Sequence, residues 1–470
     1  MQKFKFGTDG WRGVISDDFT FKNVRIVAQA IANYLLTKGK MSDKLEVVVG
    51  YDNRFLAERF AEIIAETLAF SGIKAYLSEK SCPSQTVSFT VKKKRLSGGV
   101  MVTASHNPPQ FCGIKFKAPY GGSATEEITK EIEKNLYKPL PARRPTPNDV
   151  VGEDITSPYL RRLKSLIDLE LIKDKRLRII AEPMFGVANG YLAEVLKETK
   201  CRVITLHNYR DVLFGGLNPE PIEKNLRELK ERVKKERADV GLATDGDADR
   251  IGVVDERGDY LPPHQVFPLL LLYLVKEKGW RGKVVQTISL GYLSERIAKK
   301  FNLEWKEVPI GFKYVADVML KERVIIGGEE SGGYGYQGYI PERDGILSSL
   351  FFVEMLAKTK KKLSTLGREM ESEFGKSYFL RKDYRIEDIK IRSKKRLVEK
   401  LLSSAPRELL GIKVKKIKAY DGIEYILKDD SWLLLRPSGT EPILRTYAES
   451  DNLKKTEKLL KIGREIVYRA

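Results

Sequence analysis

The chain has 470 residues, 42% of them hydrophobic, with 84 Lys and Arg against 64 Asp and Glu for a net charge of +20. That length exceeds what one hydrophobic core supports, so three or four domains are expected. The basic residues are scattered through helices among glutamates with no recognised nucleic-acid module, and the longest apolar run, Val266–Val275, is too short and too near charges to span a bilayer, so neither nucleic acid nor membrane is an expected partner.

In chain order, Leu45–Val49 reads as a strand, Ala57–Phe70 as an amphipathic helix and Ile73–Leu77 as the next strand. The cycle recurs as Leu177–Ala181, Val187–Glu198 and Arg202–Leu206, and again as Lys283–Thr287, Tyr292–Lys300 and Glu304–Val308. Three consecutive α/β domains with mixed, mainly parallel sheets are therefore expected, over 1–145, 150–255 and 256–372, with the stretch Pro139–Pro147 as the first linker. Beyond about Ser372 a Lys- and Arg-rich helix (Ile389–Leu402), short strands at Val414–Ala419, Glu424–Leu427, Trp432–Arg436 and Leu444–Ala448, and a last helix (Leu453–Tyr468) predict an α+β domain with an antiparallel sheet over 373–470. Cys82, Cys112 and Cys201 are few, odd in number and unclustered, which suits a reducing cytoplasm, and Cys112 is expected to be a buried small hydrophobe.

Five segments carry chemistry. A glycine-rich turn, Phe6–Gly13, holds one arginine, Arg12, and says little by itself. Val102–Pro109 ends a strand at paired prolines, a rigid place to hold the hydroxyl of Ser105 beside His106. Thr244–Arg250 sets Asp245, Asp247 and Asp249 at alternate positions after a buried strand; three carboxylates there can fold around one hard cation, Mg²⁺ before Ca²⁺, or form a solvated acidic turn. In Ile326–Gly335, Glu329 and Ser331 offer an acceptor and a donor to adjacent hydroxyls of a polyol, though a solvated turn explains them equally well. Arg436–Pro442, with Arg445 beyond, gathers an arginine, two hydroxyls and glycine amides into a nest for a dianionic phosphate, or else a proline-bracketed turn.

Together, in order and across nearly the whole chain, these segments resemble the α-D-phosphohexomutase superfamily of phosphoglucomutases and phosphomannomutases. The resemblance implies an isomerase that interconverts hexose 1-phosphate and 6-phosphate through an active-site phosphoserine and a bisphosphate intermediate. It implies Ser105 as the phosphoserine, and Asp245, Asp247 and Asp249 as ligands of one Mg²⁺ with the Ser105 phosphate as a fourth. Arg12 and Arg250 would face the reacting phosphate. Lys115 would be the general acid or base, with His106 orienting the loop. Glu329 and Ser331 would contact the sugar hydroxyls, Lys313 would face the substrate, and Arg436, Ser438, Gly439, Thr440 and Arg445 would cradle the distal phosphate. Glucose 1,6-bisphosphate is the implied activator.

The chain departs from the pattern where some members carry histidine, at Gly333 and Phe312, and where a lysine is common, at Gln286. Proton transfer then falls mainly to Lys115. The Glu-Glu-Ser-Gly form of the sugar loop favours glucose, with mannose open. The alternatives are a mutase for another phosphosugar such as glucosamine phosphate, or a metal-dependent sugar phosphatase, which needs no grip on the far end of its substrate. A monomer or weak dimer is expected, for want of a long coiled coil.

Overall fold

The computed structural model describes residues 10–38, 44–139, 146, 149–385, 394–437 and 443–469. Their strands form four sheets. In the first, the apolar strand Glu46–Tyr51 lies between Lys74–Ser78 and Gly98–Val102, all parallel. Runs of β-branched residues buried on both faces form such strands because helices cover each side. Helix Ala57–Phe70 packs one face through Phe60, Ile64 and Leu68, and helix Ser84–Lys94 lays Val87 and Val91 against Val48 and Met101 on the other.

The second sheet has Arg178–Glu182 between Arg202–Thr205 and Val240–Thr244, and the third has Lys283–Thr287 between Trp305–Val308 and Val324–Gly328, again parallel. Antiparallel strands finish one edge of each, so the three sheets are mixed around parallel centres, and the fourth sheet is wholly antiparallel. The expected fold class is the observed one.

The antiparallel edges position the site. Gly98–Val102 returns as Phe111–Ala118, Val240–Thr244 as Ile251–Asp255, Val324–Gly328 as Tyr334–Tyr336, and Trp432–Pro437 as Ile443–Ser450. In each of the first three sheets, the loop at that return connects the last parallel strand to the first antiparallel one. Each of the last four motifs occupies one of these returns, and in the first three sheets the return lies at the strand ends where open sheets bind ligands.

Three details differ from expectation. Val150–Glu153, expected to open the second domain, extends the first sheet beside Lys74–Ser78. The helix expected over Val187–Glu198 runs only from Tyr191 to Leu196, with Gly190 in the left-handed region at φ 78° directly ahead of it, a conformation an α-helix cannot contain. The second and third sheets share one core, in which Leu242 and Val253 join Ile326 around helix Gly345–Thr359. Among the described residues no helix is long and apolar enough to cross a membrane.

Candidate active site

Ser105 is 1% exposed with φ 53°. A non-glycine residue in that region is strained and persists only where its surroundings hold it. Thr103 Oγ1 accepts the Ser105 N–H at 2.8 Å and donates to Asp52 Oδ2 at 2.6 Å. Arg54, fully buried, donates from Nη2 to the carbonyls of Ser105 and Asn107 (2.7 and 2.8 Å) and from Nη1 to those of Pro108 and Phe111 (2.9 and 2.8 Å). Its Nε reaches Asp52 Oδ2 at 3.2 Å. One planar guanidinium thus satisfies four carbonyls of the serine loop. Arg12, opposite Gly113 in the sheet, donates to Asn107 Oδ1. His106 Nδ1 lies 3.5 Å from Ser105 Oγ, and burial, together with the charges of Arg250 and Arg12, holds the imidazole well below its usual range.

Ser105 Oγ donates to Asp245 Oδ2 at 2.8 Å. Asp245, Asp247 and Asp249 are buried, with carboxylate oxygens within 4.8 Å of one another. Burial, then the Asp249 and Asp247 charges, pushes the Asp245 carboxyl well above the usual range. Burial acts the same way on Asp247, but the Lys115 ammonium and the Ser84 hydroxyl outweigh it and hold that carboxylate below the usual range. Lys115, on the return strand Phe111–Ala118, places Nζ 2.8 Å from Asp247 Oδ2 and 3.5 Å from Asp249 Oδ2.

Asp247 Oδ1 and Asp249 Oδ1 are buried and make no hydrogen bond. Two orphaned carboxylate oxygens within a cluster of three acids fit a hard divalent cation that takes oxygen ligands, such as Mg²⁺. The loop is docked on the first domain at the start of helix Ser84–Lys94. The Ser84 N–H donates to the Asp247 carbonyl at 3.1 Å, its hydroxyl donates to Asp247 Oδ2, and Gln85 Nε2 donates to the Ala248 carbonyl at 3.0 Å. Arg250 donates its N–H to Asp245 Oδ1 at 3.1 Å, and its guanidinium lies 3.7 Å from Glu220 and 3.9 Å from Asp249.

In the third loop, Glu329 is buried, and desolvation pushes its carboxyl up to about 7 against the opposing charge of Arg343. Ser331 Oγ is buried without a hydrogen bond, so it is available to a ligand. Glu330 instead accepts from Ser289 Oγ at 2.6 Å. Arg343 spans two loops, with Nη2 2.7 Å from Asp249 Oδ2 and Nη1 3.2 Å from Glu329 Oε2. Its stem passes over Gly333, where a Cβ would stand 2.3 Å from Arg343 Cδ. No larger side chain fits at 333 while Arg343 holds this course. Lys313 is tied to the domain interface, 3.5 Å from Glu126 Oε2 on the first domain's helix Glu126–Lys134.

In the fourth sheet Arg436 and Arg445 face each other across paired strands; Arg436 Nε donates to Asp421 Oδ1 at 2.8 Å and Arg445 Nε lies 4.0 Å from Asp383 Oδ2. Ser438, Gly439 and Thr440 lie outside the described residues. The structure brings Ser105, His106, Lys115, Asp245, Asp247, Asp249, Arg250 and Glu329 into one connected cluster, which Arg12 meets through Asn107. Sequence reasoning missed Asp52, Arg54, Ser84 and Arg343. The charged triplets Asp52-Asn53-Arg54, at the end of a buried strand, and Glu342-Arg343-Asp344, ahead of an apolar helix, were the available signals. Cys112 is fully buried, as expected.

Residues 3–141, 157–258 and 262–374 match the family models described as phosphoglucomutase/phosphomannomutase alpha/beta/alpha domains I, II and III, and residues 396–462 match the C-terminal domain. Among curated proteins, the chain is 31% identical over 468 residues to a phosphoglucomutase/phosphomannomutase of Thermococcus kodakarensis, covering 99% of this chain and 98% of the relative. It is 29% identical to a phosphoglucosamine/phosphogalactosamine mutase of Sulfurisphaera tokodaii, covering 98% of each. Among solved structures, a Thermus thermophilus protein described as a phosphomannomutase superposes with a TM-score of 0.87 at 34% identity, covering 99% of both chains.

Proposed function

Since the chain belongs to the phosphoglucomutase/phosphomannomutase family and is a phosphohexomutase, we propose that it interconverts the 1- and 6-phosphates of a hexose, glucose foremost, through phosphorylated Ser105. The observation that carries this reading is the 2.8 Å contact of Ser105 Oγ with Asp245, inside a buried cluster that also holds Asp247, Asp249 and Lys115.

Asp245, Asp247 and Asp249, with a phosphoserine oxygen, would hold Mg²⁺, which supplies charge neutralisation on the transferring phosphoryl group. The remaining work belongs to side chains. In the first half-reaction the bond from phosphorus to Ser105 Oγ breaks as a bond to the sugar hydroxyl forms; the hydroxyl loses a proton and the serine oxygen gains one. Lys115 Nζ exchanges that proton. The hexose 1,6-bisphosphate turns over in the site, and its other phosphate returns to Ser105. Glucose 1,6-bisphosphate would therefore prime unphosphorylated enzyme. Arg12 and Arg250 face the phosphoryl group in flight. Glu329 and Ser331 read adjacent hydroxyls, and Arg436 and Arg445 grip the distal phosphate in both orientations, the grip that a simple phosphatase has no need for. Lys313 acts from the domain interface.

A second reading, a mutase of glucosamine phosphate, draws on the activity named for the Sulfurisphaera relative. The test is conversion of glucose, mannose and glucosamine 1-phosphates with Mg²⁺ and trace hexose 1,6-bisphosphate, beside Ser105→Ala. Glucose turnover in excess of the other two, abolished in the alanine variant, is expected. Faster glucosamine turnover selects the second reading, and turnover surviving Ser105→Ala refutes the phosphoserine.

A further inference from the structure

Three consecutive ionisable residues after the third hairpin reach into three places. Glu342 accepts from Lys117 Nζ of the first domain at 2.6 Å, both side chains fully buried. Asp344 accepts from Tyr159 Oη at 2.9 Å and caps helix Gly345–Thr359 through the Leu347 N–H at 2.8 Å. Between these anchors the backbone of Arg343 has little freedom, and its guanidinium reaches Asp249 at 2.7 Å and Glu329 at 3.2 Å. Two features shape that path. Gly333 leaves room for the stem, and the Phe312 ring lies 5.5 Å from the guanidinium carbon.

One buried cation is thus divided between an aspartate of the metal loop and the glutamate of the sugar loop. We propose that Arg343 is a positioning residue that couples the two loops, neutralising Asp249 while no cation is bound and orienting Glu329 for the sugar hydroxyls. The inference rests on the roles assigned above to Asp249 and Glu329. A guanidinium serves both because its planar fork presents separate N–H groups to separate carboxylates; an ammonium is a point charge that cannot hold both geometries. A divalent cation entering among the aspartates competes with Arg343 for Asp249. Removing the arginine therefore strengthens cation binding and weakens sugar binding. A residue that merely supported the fold would weaken both.

The test measures, by calorimetry on unphosphorylated protein, binding of Mg²⁺ alone and of glucose 6-phosphate, and KM separately from kcat. For Arg343→Ala we expect Mg²⁺ affinity to rise severalfold as the competing charge is lost, and glucose 6-phosphate affinity to fall about tenfold or more, with KM rising in parallel. Arg343→Lys should return Mg²⁺ affinity toward wild type while the sugar phosphate stays weakly bound. Gly333→Ala, which keeps the arginine in the chain but puts a Cβ 2.3 Å from its Cδ and so forces the stem off its course, should also raise KM. Parallel loss of both affinities, unchanged Mg²⁺ affinity in Arg343→Ala, or a wild-type KM in Gly333→Ala overturns the proposal. The Mg²⁺ titration needs no turnover, so a wild type inactive on hexose phosphates would refute the functional reading and leave the metal comparison standing.

Discussion

Arg436 lies directly opposite Arg445 in the antiparallel register of Trp432–Pro437 and Ile443–Ser450. Like charges at facing positions repel; Asp421 lies 2.8 Å from Arg436 Nε and Asp383 4.0 Å from Arg445 Nε. A dianion between the two arginines would be held by both guanidiniums. Asp421 also accepts the N–H of Ile310 at 2.8 Å, which ties the arginine pair to the third domain's loop beside Phe312 and Lys313. Arg445→Gln is expected to raise KM for a hexose phosphate about tenfold, the value of one charge-assisted contact, while leaving the melting temperature of the free protein unchanged or slightly higher. A KM equal to wild type, from initial rates over a substrate series, would remove Arg445 from the phosphate grip.

Arg54 touches no proposed ligand, yet it holds the turn on which Ser105 stands. Lysine cannot reach four carbonyls from one position, so Arg54→Lys leaves several buried acceptors unsatisfied beside a strained φ. The loss of stability should be about 1–3 kcal/mol for each carbonyl left without a donor, with activity falling further than stability explains. Urea denaturation beside initial rates measures both; a variant within about 1 kcal/mol of wild type would sink the account.

The Lys117–Glu342 pair joins the first and third domains with neither side chain exposed. Lys117→Met strands the Glu342 carboxylate and should cost about 3–5 kcal/mol. Replacing both, Lys117→Met with Glu342→Gln, should recover much of that loss, since the neutral amide needs no counter-charge and keeps an oxygen for the Ser123 hydroxyl, which Glu342 holds at 3.0 Å. A double variant as unstable as the single one would show that the charges, not the burial of one alone, hold the interface.

Burial pushes the Asp344 carboxyl up to about 7, above its ordinary 3.8. The folded protein then keeps a proton that the unfolded chain releases. This group's contribution is full below about pH 4 and is lost as pH rises toward 7. Asn at 344 keeps an oxygen for the Leu347 N–H and cannot titrate. Asp344→Asn should therefore show a shallower decline of unfolding free energy between about pH 4 and 7, measured by denaturation at each pH. Identical slopes would place the proton elsewhere. The buried Asp52, Glu329 and Glu449 are also pushed up, by burial first, and keep some slope in the variant.

Stripping divalent cations should abolish turnover, and adding Mg²⁺ back should raise the melting temperature with a logarithmic dependence on its concentration. The expectation follows from the mutual repulsion within Asp245, Asp247 and Asp249. Full activity in chelator, with no thermal shift, would assign the cluster a structural role only.

The sequence by itself determined the family and the repeated strand–helix–strand order, and it singled out the candidate site residues. Ser105, the three aspartates, Glu329 and Arg436 each sit in a short motif at a strand end, where a local chain signal suffices. Only the tertiary structure decided how those motifs are held. The strand carrying Lys115 returns antiparallel, Ser84 closes on Asp247 from 163 residues away, and Lys117 meets Glu342 across 225. In sequence, Lys117 looks like any of the 84 basic residues, and Arg54 and Arg343 stand out only by the short charged triplets that hold them. What separates them is burial, which makes an unmatched charge costly enough to dictate its partners. Burial is set by which elements close over a residue, and those elements lie far along the chain.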